Sequence, residues 1–372
     1  MELIMQWTIL VYLLALTVAV PASAFQLRPE VKNGEKLLRA SDDAYWRMKM
    51  NVVGYWGIEQ FTNPVHEIIT NRIYGCGSDD GCAVTVGNRF MQPAAPMAVL
   101  AGVRWNDNPP FRLSDTSLSG CKNVYVQLPM QGSCWASVFS DGKKKAEIAK
   151  GAVLYKFQPN KPEQYSMLLR SHFGDLQFLH AMASRPGERA GETADNIMMW
   201  AEFVWRITTS EYGRGTTIAE ASVDVPLLLD FFDLRDTVQS ILFKGEAGYN
   251  KDYRDFAFGT LLHLVQDSYS EAHMARQDPD GRLCEKTNYD RPGRAVRYYT
   301  YVGQNSRNHG RKDELVAVTR QLSNTTTPNL VDVGQAIKEM RDKHLSWNAV
   351  EPYFDCLFRT AQPMTEADKG PF

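Results

Sequence analysis

Wherever apolar residues form long runs in this chain, they fall at helical spacing. Between residues 187 and 211, Ile197, Trp200, Phe203, Val204 and Ile207 recur three and four apart, so an α-helix gathers them on one face. That stripe predicts a core helix. Residues 224–244 open on Asp224-Val225-Pro226, a helix-start signature, and continue through Leu227, Leu228, Phe231, Phe232, Leu234, Val238, Ile241 and Leu242. They predict a second buried helix, and residues 253–269 a third. Helical patterns also cover 62–74, 161–182 and 331–346. By contrast 106–142, 275–308 and 348–372 are rich in Gly, Pro, Ser, Asn and Asp and read as loops, with room for short strands such as Val124-Tyr125-Val126. The expected fold is all-α: a mostly helical single domain with long functional loops.

Composition narrows the class. Hydrophobic residues make up 44% of the 372 positions, which suffices for a sizeable core and excludes a disordered chain. Length alone would suit two domains, but no repeat, low-complexity tract or composition break marks a second one. Lys and Arg number 41 against 43 Asp and Glu, a net charge of -2, so no extended phosphate-tracking surface is expected.

The N-terminus carries an address. Residues 8–20 are apolar and uncharged, and Pro21 and Ala22-Ser23-Ala24 follow with the small-x-small pattern of a signal-peptidase site. The run is short for a bilayer span of roughly 20 residues. Residues 1–24 are therefore expected to be a signal peptide cleaved before Phe25, and the protein to be secreted or periplasmic, although the segment before the run holds Glu2 and no Lys or Arg. The even set of cysteines, at 76, 82, 121, 134, 284 and 356, fits an oxidising compartment. The simplest pairing is Cys76–Cys82, Cys121–Cys134 and Cys284–Cys356. No Cys-x-x-Cys occurs, which argues against a zinc ribbon.

The seven histidines carry the chemistry. His263 and Asp267 are four apart, so a helix sets both on one face, and His273 follows six residues later. Buried His and Asp in an otherwise apolar helix need partners that a metal supplies directly. His309 and Asp313 repeat the four-residue spacing in a polar stretch. His172-Phe173-Gly174-Asp175 is a third candidate. His180, downstream of that candidate, could be a ligand but reads first as a core residue or a support for one, and His344 reads as a surface residue.

In this order the residues resemble the zinc-dependent phospholipase C family and the related S1/P1 nucleases, which share an all-α fold and a trinuclear zinc site. The resemblance covers roughly residues 56–313. It is carried by Pro64-Val65-His66-Glu67, Arg104-Trp105-Asn106-Asp107-Asn108-Pro109, Ser171-His172-Phe173-Gly174-Asp175, the His263-x3-Asp267-x5-His273 run and His309-x3-Asp313. It implies one zinc on Asp107, His172, His263 and Asp267, a second on His273, His309 and Asp313, and a third on His66 and the bridging Asp267. Family members complete that third site with an N-terminal Trp. Here Phe25 lies 41 residues before His66, whereas Trp56 lies ten before it, the spacing of clostridial members. Either residues 25–55 are a propeptide that is removed, or the third site is built differently.

Several divalent cations held by oxygen and nitrogen suit phosphoester cleavage. Asp107, placed on a loop, is the carboxylate expected to accept the proton of the attacking water. A serine hydrolase is disfavoured because no Gly-x-Ser-x-Gly occurs, and a P-loop enzyme because no Gly-x4-Gly-Lys occurs. The resemblance implies a monomeric, secreted zinc phospholipase C that cleaves a glycerophospholipid, phosphatidylcholine foremost, at a membrane or micelle interface, without a stable nucleic-acid partner. An S1/P1-like nuclease or nucleotidase is the alternative: Asp313 leans that way, since phospholipases tend to carry Glu there, while Ser270-Glu271-Ala272-His273 departs from the Pro-Leu-His of nucleases. A non-catalytic zinc-stabilised binding protein is a third reading.

Overall fold

In the computed structural model, residues 65–76, 85–86, 89–90, 94–109, 111–113, 124–126, 132–149, 151–161, 165–243, 252–314, 317–318, 322 and 327–372 are described. Among these, helices carry the core and strands occur only as antiparallel pairs, as the all-α class requires. In chain order come α1 (Val65–Ile73), β1 (Thr85–Val86), β2 (Arg89–Phe90), α2 (Met97–Trp105), β3 (Phe111–Leu113), β4 (Val124–Val126), α3 (Gly132–Ile148) and α4 (Met167–Phe173). A 3-10 turn at Gln177–His180 precedes α5 (Ala190–Thr208) and the short α6 (Ile218–Ala221). Then follow a 3-10 turn at Pro226–Asp230, α7 (Val238–Leu242), α8 (Tyr253–Asp267), β5 (Met274–Arg276), β6 (Ala295–Tyr298), α9 (Ser306–Lys312), α10 (Leu330–Asp342) and α11 (Trp347–Phe358).

The centre is α8, buried at every position from Phe256 to Asp267, so it is enclosed all round rather than striped. It packs on α2 and α5. The stripe read in 187–211 is that of α5, where Ile197, Trp200, Phe203, Val204 and Ile207 have no exposed surface. The crossing of α2 and α8 is unusually close because it is made at two glycines. A Cβ on Gly102 would lie 1.9 Å from Phe256 O, and one on Gly259 would lie 2.2 Å from Val99 O. That contact brings the C-terminal end of α2 beside the second half of α8.

Three local readings are corrected. Residues 224–244 are not one helix: the 3-10 turn at Pro226–Asp230 ends, and α7 starts afresh at Val238. Thr237 Oγ1 accepts from Ser240 N at 3.1 Å while Ser240 Oγ accepts from Thr237 N at 2.8 Å, a reciprocal cap that begins a helix there. Leu234, counted into the apolar stripe, faces solvent. Residues 161–182 likewise divide, with α4 ending at Phe173 and the chain resuming as the 3-10 turn at Gln177–His180. The expected loops at 106–142, 275–308 and 348–372 contain the start of α3, the start of α9 and most of α11. In α11 buried Trp347, Val350, Tyr353, Phe354, Leu357 and Phe358 follow the helical period and override Pro352, which reads as a breaker.

The strand at Val124–Val126 is present and pairs with β3. Cys284 and Cys356 form a disulfide, as expected. Cys76 and Cys134 are also disulfide-bonded, while their expected partners Cys82 and Cys121 lie outside the described residues. So do the signal segment, residues 25–55 and Trp56. No helix among the described residues is long and apolar enough to cross a membrane.

Candidate metal centre

Six histidines and three aspartates converge beside the α2–α8 crossing. The second residue of α1 is His66, and α1 is tied to α2 by the buried Glu67–Arg104 ion pair at 2.7 Å. Asp107 sits in the turn that ends α2, where Asn106 Nδ2 donates to Leu179 O at 2.8 Å. Both His263 and Asp267 lie on α8, and His273 lies six residues beyond, just before β5. His309 and Asp313 belong to α9 and its C-cap, and the helix is started by Asn305, whose side chain accepts from Arg307 N and Asn308 N. All are buried. Four sets, the first three overlapping, have donor atoms close enough to hold an ion: His66–Asp107–His263, Asp107–His172–His180, His180–His263–Asp267 and His273–His309–Asp313.

Every residue expected at the site is therefore present, and one more joins it. His180 Nδ1 lies 2.7 Å from Asp267 Oδ2 and 3.1 Å from His263 Nε2, the position expected for His172. His172 stands farther out, with Nε2 3.9 Å from Asp107 Oδ1 and its ring centroid 4.9 Å from that of His180. The break at Gly174 separates the two histidines and lets the 3-10 turn carry His180 inward. A single His in the apolar run Phe178-Leu179-His180 gives no periodic signal that would distinguish it from a core residue.

The outer hydrogen bonds decide what the rings offer. Nδ1 of His263 lies 2.6 Å from Val103 O, Nδ1 of His273 2.7 Å from His180 O, and Nδ1 of His172 3.0 Å from Leu168 O. His66 Nδ1 lies 2.6 Å from Gln266 Oε1, and His309 Nδ1 contacts Gln304 Oε1. Those two amides are themselves oriented, since Gln266 Nε2 donates to Thr70 Oγ1 at 2.9 Å and Gln304 Nε2 donates to Ala272 O at 2.8 Å. A carbonyl oxygen only accepts, so each Nδ1 carries a proton and each ring, when neutral, turns the Nε2 lone pair to the centre. This is how metal-ligating histidines are held.

Facing lone pairs are repulsive unless a proton or a metal cation lies between them. His273 Nε2 and His309 Nε2 are 3.3 Å apart, with Asp313 Oδ2 at 3.0 Å from the latter. Neither oxygen of the buried Asp107 has a hydrogen-bond partner, and its nearest histidine nitrogen, His66 Nε2, is 3.6 Å away, too far for one. Burial, then Asp267, Asp313 and Glu67, push the Asp107 carboxyl well above its ordinary range. Burial, then His263, holds His66 well below the usual histidine range, and burial takes His180 down to about 4. His273 alone goes up, to about 9, because Asp267 and Asp313 outweigh burial. Protons thus neutralise one end of the group and leave Asp107 unmatched. Divalent cations would answer both defects, and the donor set of imidazole and carboxylate fits them.

The donors form two ends. Asp107, His180, His263 and Asp267 can surround one ion, with His66 on the far side of both carboxylates: its Nε2 is 3.5 Å from Asp267 Oδ1. Three side chains, His273, His309 and Asp313, bring their donor atoms together at the other end. No family model, curated protein or solved structure matches this chain, so the purpose of the centre has to be read from these side chains.

Proposed function

We propose that the protein is a secreted zinc-dependent phosphodiesterase of the phospholipase C type, cleaving phosphatidylcholine and similar glycerophospholipids to diacylglycerol and a phosphorylated head group. The observation that carries the metal-dependent reading is the set of inward Nε2 lone pairs around the partnerless carboxylate of Asp107. Phosphodiester cleavage follows from the ordered motifs of the phospholipase C and S1/P1 families together with that donor set. Six imidazoles and three carboxylates suit zinc better than magnesium or calcium, which take oxygen. When bound, the ions would offset phosphate charge and make water more acidic.

The chain's own residues supply the rest. His66, Asp107, His172, His180, His263 and Asp267 hold one end, and His273, His309 and Asp313 hold the other. Burial of all of them excludes bulk water and strengthens each electrostatic contact with a phosphate. Asp107, whose charge its surroundings oppose most, is the group to accept a proton from the attacking water at a carboxylate oxygen. Asp267 remains ionised because His263 and His273 outweigh the cost of burying it. The Cys284–Cys356 disulfide fits an extracytoplasmic location.

One assay separates the readings. Zinc-loaded protein is given phosphatidylcholine in mixed micelles and, in parallel, single-stranded DNA and RNA. A phospholipase releases phosphocholine, with nucleic-acid hydrolysis at least tenfold slower, about 1.4 kcal/mol of barrier difference. The aspartate at 313 speaks for the nuclease alternative, and equal or faster cleavage of nucleic acid would install it. No turnover of either substrate by fully loaded protein would leave a structural zinc protein.

A further inference from the structure

The helix α3 lies along the metal centre, and its position is set by a close contact. A Cβ on Gly142 would meet Leu169 Cδ2 at 2.4 Å, so α3 settles closely on α4, the helix that carries His172. Phe139, on the same face, packs edge-on against the His172 ring with centroids 5.0 Å apart. One turn later, Lys143 Nζ contacts Ser306 Oγ at the start of α9 and stands 5.6 Å from the centroid of the Tyr301 ring. Tyr301 in turn packs edge-on against the ligand candidate His309, at 4.8 Å. Exposure falls along this line, from 20% for the Lys143 side chain to 5% for Tyr301 and 0% for His309. Lys143 is the outermost member of a continuous path to the metal centre.

Its charge is poorly matched there. Glu147 Oε1 is 3.7 Å away and its side chain is 46% exposed, whereas on the outer face of the same helix Lys145 and Asp141 close to 2.6 Å. The other polar contact of Lys143, Ser306, is neutral. Burial lowers the ammonium's pKa, and Glu147 offsets that only in part. A stem packed on Tyr301 explains the side chain's position but not why a charge is kept half-buried at the outer end of a path that leads to the metal centre. An anion arriving at that site would add a second counter-charge to that of Glu147.

We propose that Lys143 binds a phosphate oxygen of the substrate at the mouth of the metal centre, a role that rests on the phosphodiesterase reading above. The ammonium leaves Ser306 for the phosphate, sharing its charge with the cations, and so contributes to binding more than to the chemical step.

The test uses the full zinc-loaded chain and the variants K143M, K143Q and K143R. Zinc content, KM and kcat on the phosphodiester, and the calorimetric Kd of inorganic phosphate are measured for each. The neutral variants are expected to keep their zinc and to raise KM and the phosphate Kd about tenfold, about 1.4 kcal/mol, with kcat changed less. K143R is expected to stay within about threefold of the wild type, because its charge survives. Wild-type KM and phosphate affinity in K143M would overturn the proposal, as would zinc loss in both neutral variants, which would assign Lys143 to the seating of α3. The two readings fail separately. Phosphate binding that depends on Lys143 in a protein without turnover would sink the phosphodiesterase and keep this site, and turnover with phosphate affinity indifferent to Lys143 would do the reverse.

Discussion

Asp267 is where loss of a single charge should be felt across the whole centre. Its Oδ2 lies 2.7 Å from His180 Nδ1, 2.9 Å from His263 Nε2 and 3.7 Å from His273 Nδ1, and its Oδ1 faces His66 Nε2 at 3.5 Å. Asp267→Asn keeps the shape and removes the negative charge that two ions would share. Changing an outer residue that merely orients a metal ligand costs 10- to 100-fold in affinity, so the bridging carboxylate itself should cost at least a hundredfold, about 2.7 kcal/mol per ion. Because bound metal stabilises only the folded state, the same amount disappears from the zinc-dependent part of stability. For a chain of this size that is roughly 5–10 °C of melting temperature. Melting is measured with zinc and with chelator, and zinc is counted by mass spectrometry after dialysis. The wild type should show a wide gap between the two melts and D267N a narrow one, with most zinc and turnover gone together. The exposed His344 supplies the control, since H344A should retain its zinc. Full zinc occupancy with retained turnover in D267N would refute the bridging assignment.

Two further outcomes follow from named contacts. H180A should lose zinc as severely as H263A, and H172A less, because His180 meets Asp267 at 2.7 Å whereas His172 approaches Asp107 no closer than 3.9 Å. Equal zinc counts in H180A and wild type would return the ligand role to His172. Glu188, buried between Ser184, Arg185 and Thr193, is raised by burial from its ordinary 4.5 to about 7. Its ionised form is disfavoured in the fold, so its contribution is most favourable below about pH 4.5, is lost as pH rises to about 7, and is constant above, a change of up to about 3 kcal/mol. E188Q should lack that decline when the two proteins are melted side by side from pH 4 to 8, and parallel curves would show that Glu188 is ionised throughout.

Much of the fold was legible where one element carried its own signal. The stripe in α5 needed only its own period, and α10 lies within the residues 331–346 read as helical but for Leu330 and its uncounted tail. The misreadings share one cause. In 224–244 the apolar spacing continues through Asp233, Asp236 and Thr237, but Thr237 and Ser240 give the backbone a better local bargain than helix continuation. In α11 the error runs the other way, since Pro352 looks like an end and the buried face at Tyr353, Phe354 and Leu357 outweighs the lost hydrogen bond. Periodicity reports on packing demand, whereas caps and prolines report on local backbone cost. Which of them wins depends on how much surface the neighbours bury.

The metal centre divides along the same line. His263 with Asp267, and His309 with Asp313, are visible because an α-turn converts a four-residue spacing into a shared face. The joining of the two pairs is not a property of either helix. It depends on Gly102 and Gly259, which let α2 approach α8 until Asp107 and Val103 O face His263, and no spacing rule links those residues. His180 is hidden for a further reason: it lies in a 3-10 turn beyond a helix break, eight residues from His172, so helical phase does not carry across. The atoms that most strongly indicate a metal are also the least conspicuous in sequence. Val103 O, Leu168 O and His180 O are backbone carbonyls that any residue could supply, yet each fixes the proton on Nδ1 and so aims an Nε2 lone pair inward. A residue pattern can name the ligands in a centre like this one, but the tautomers that make them ligands are set by main chain brought near in three dimensions.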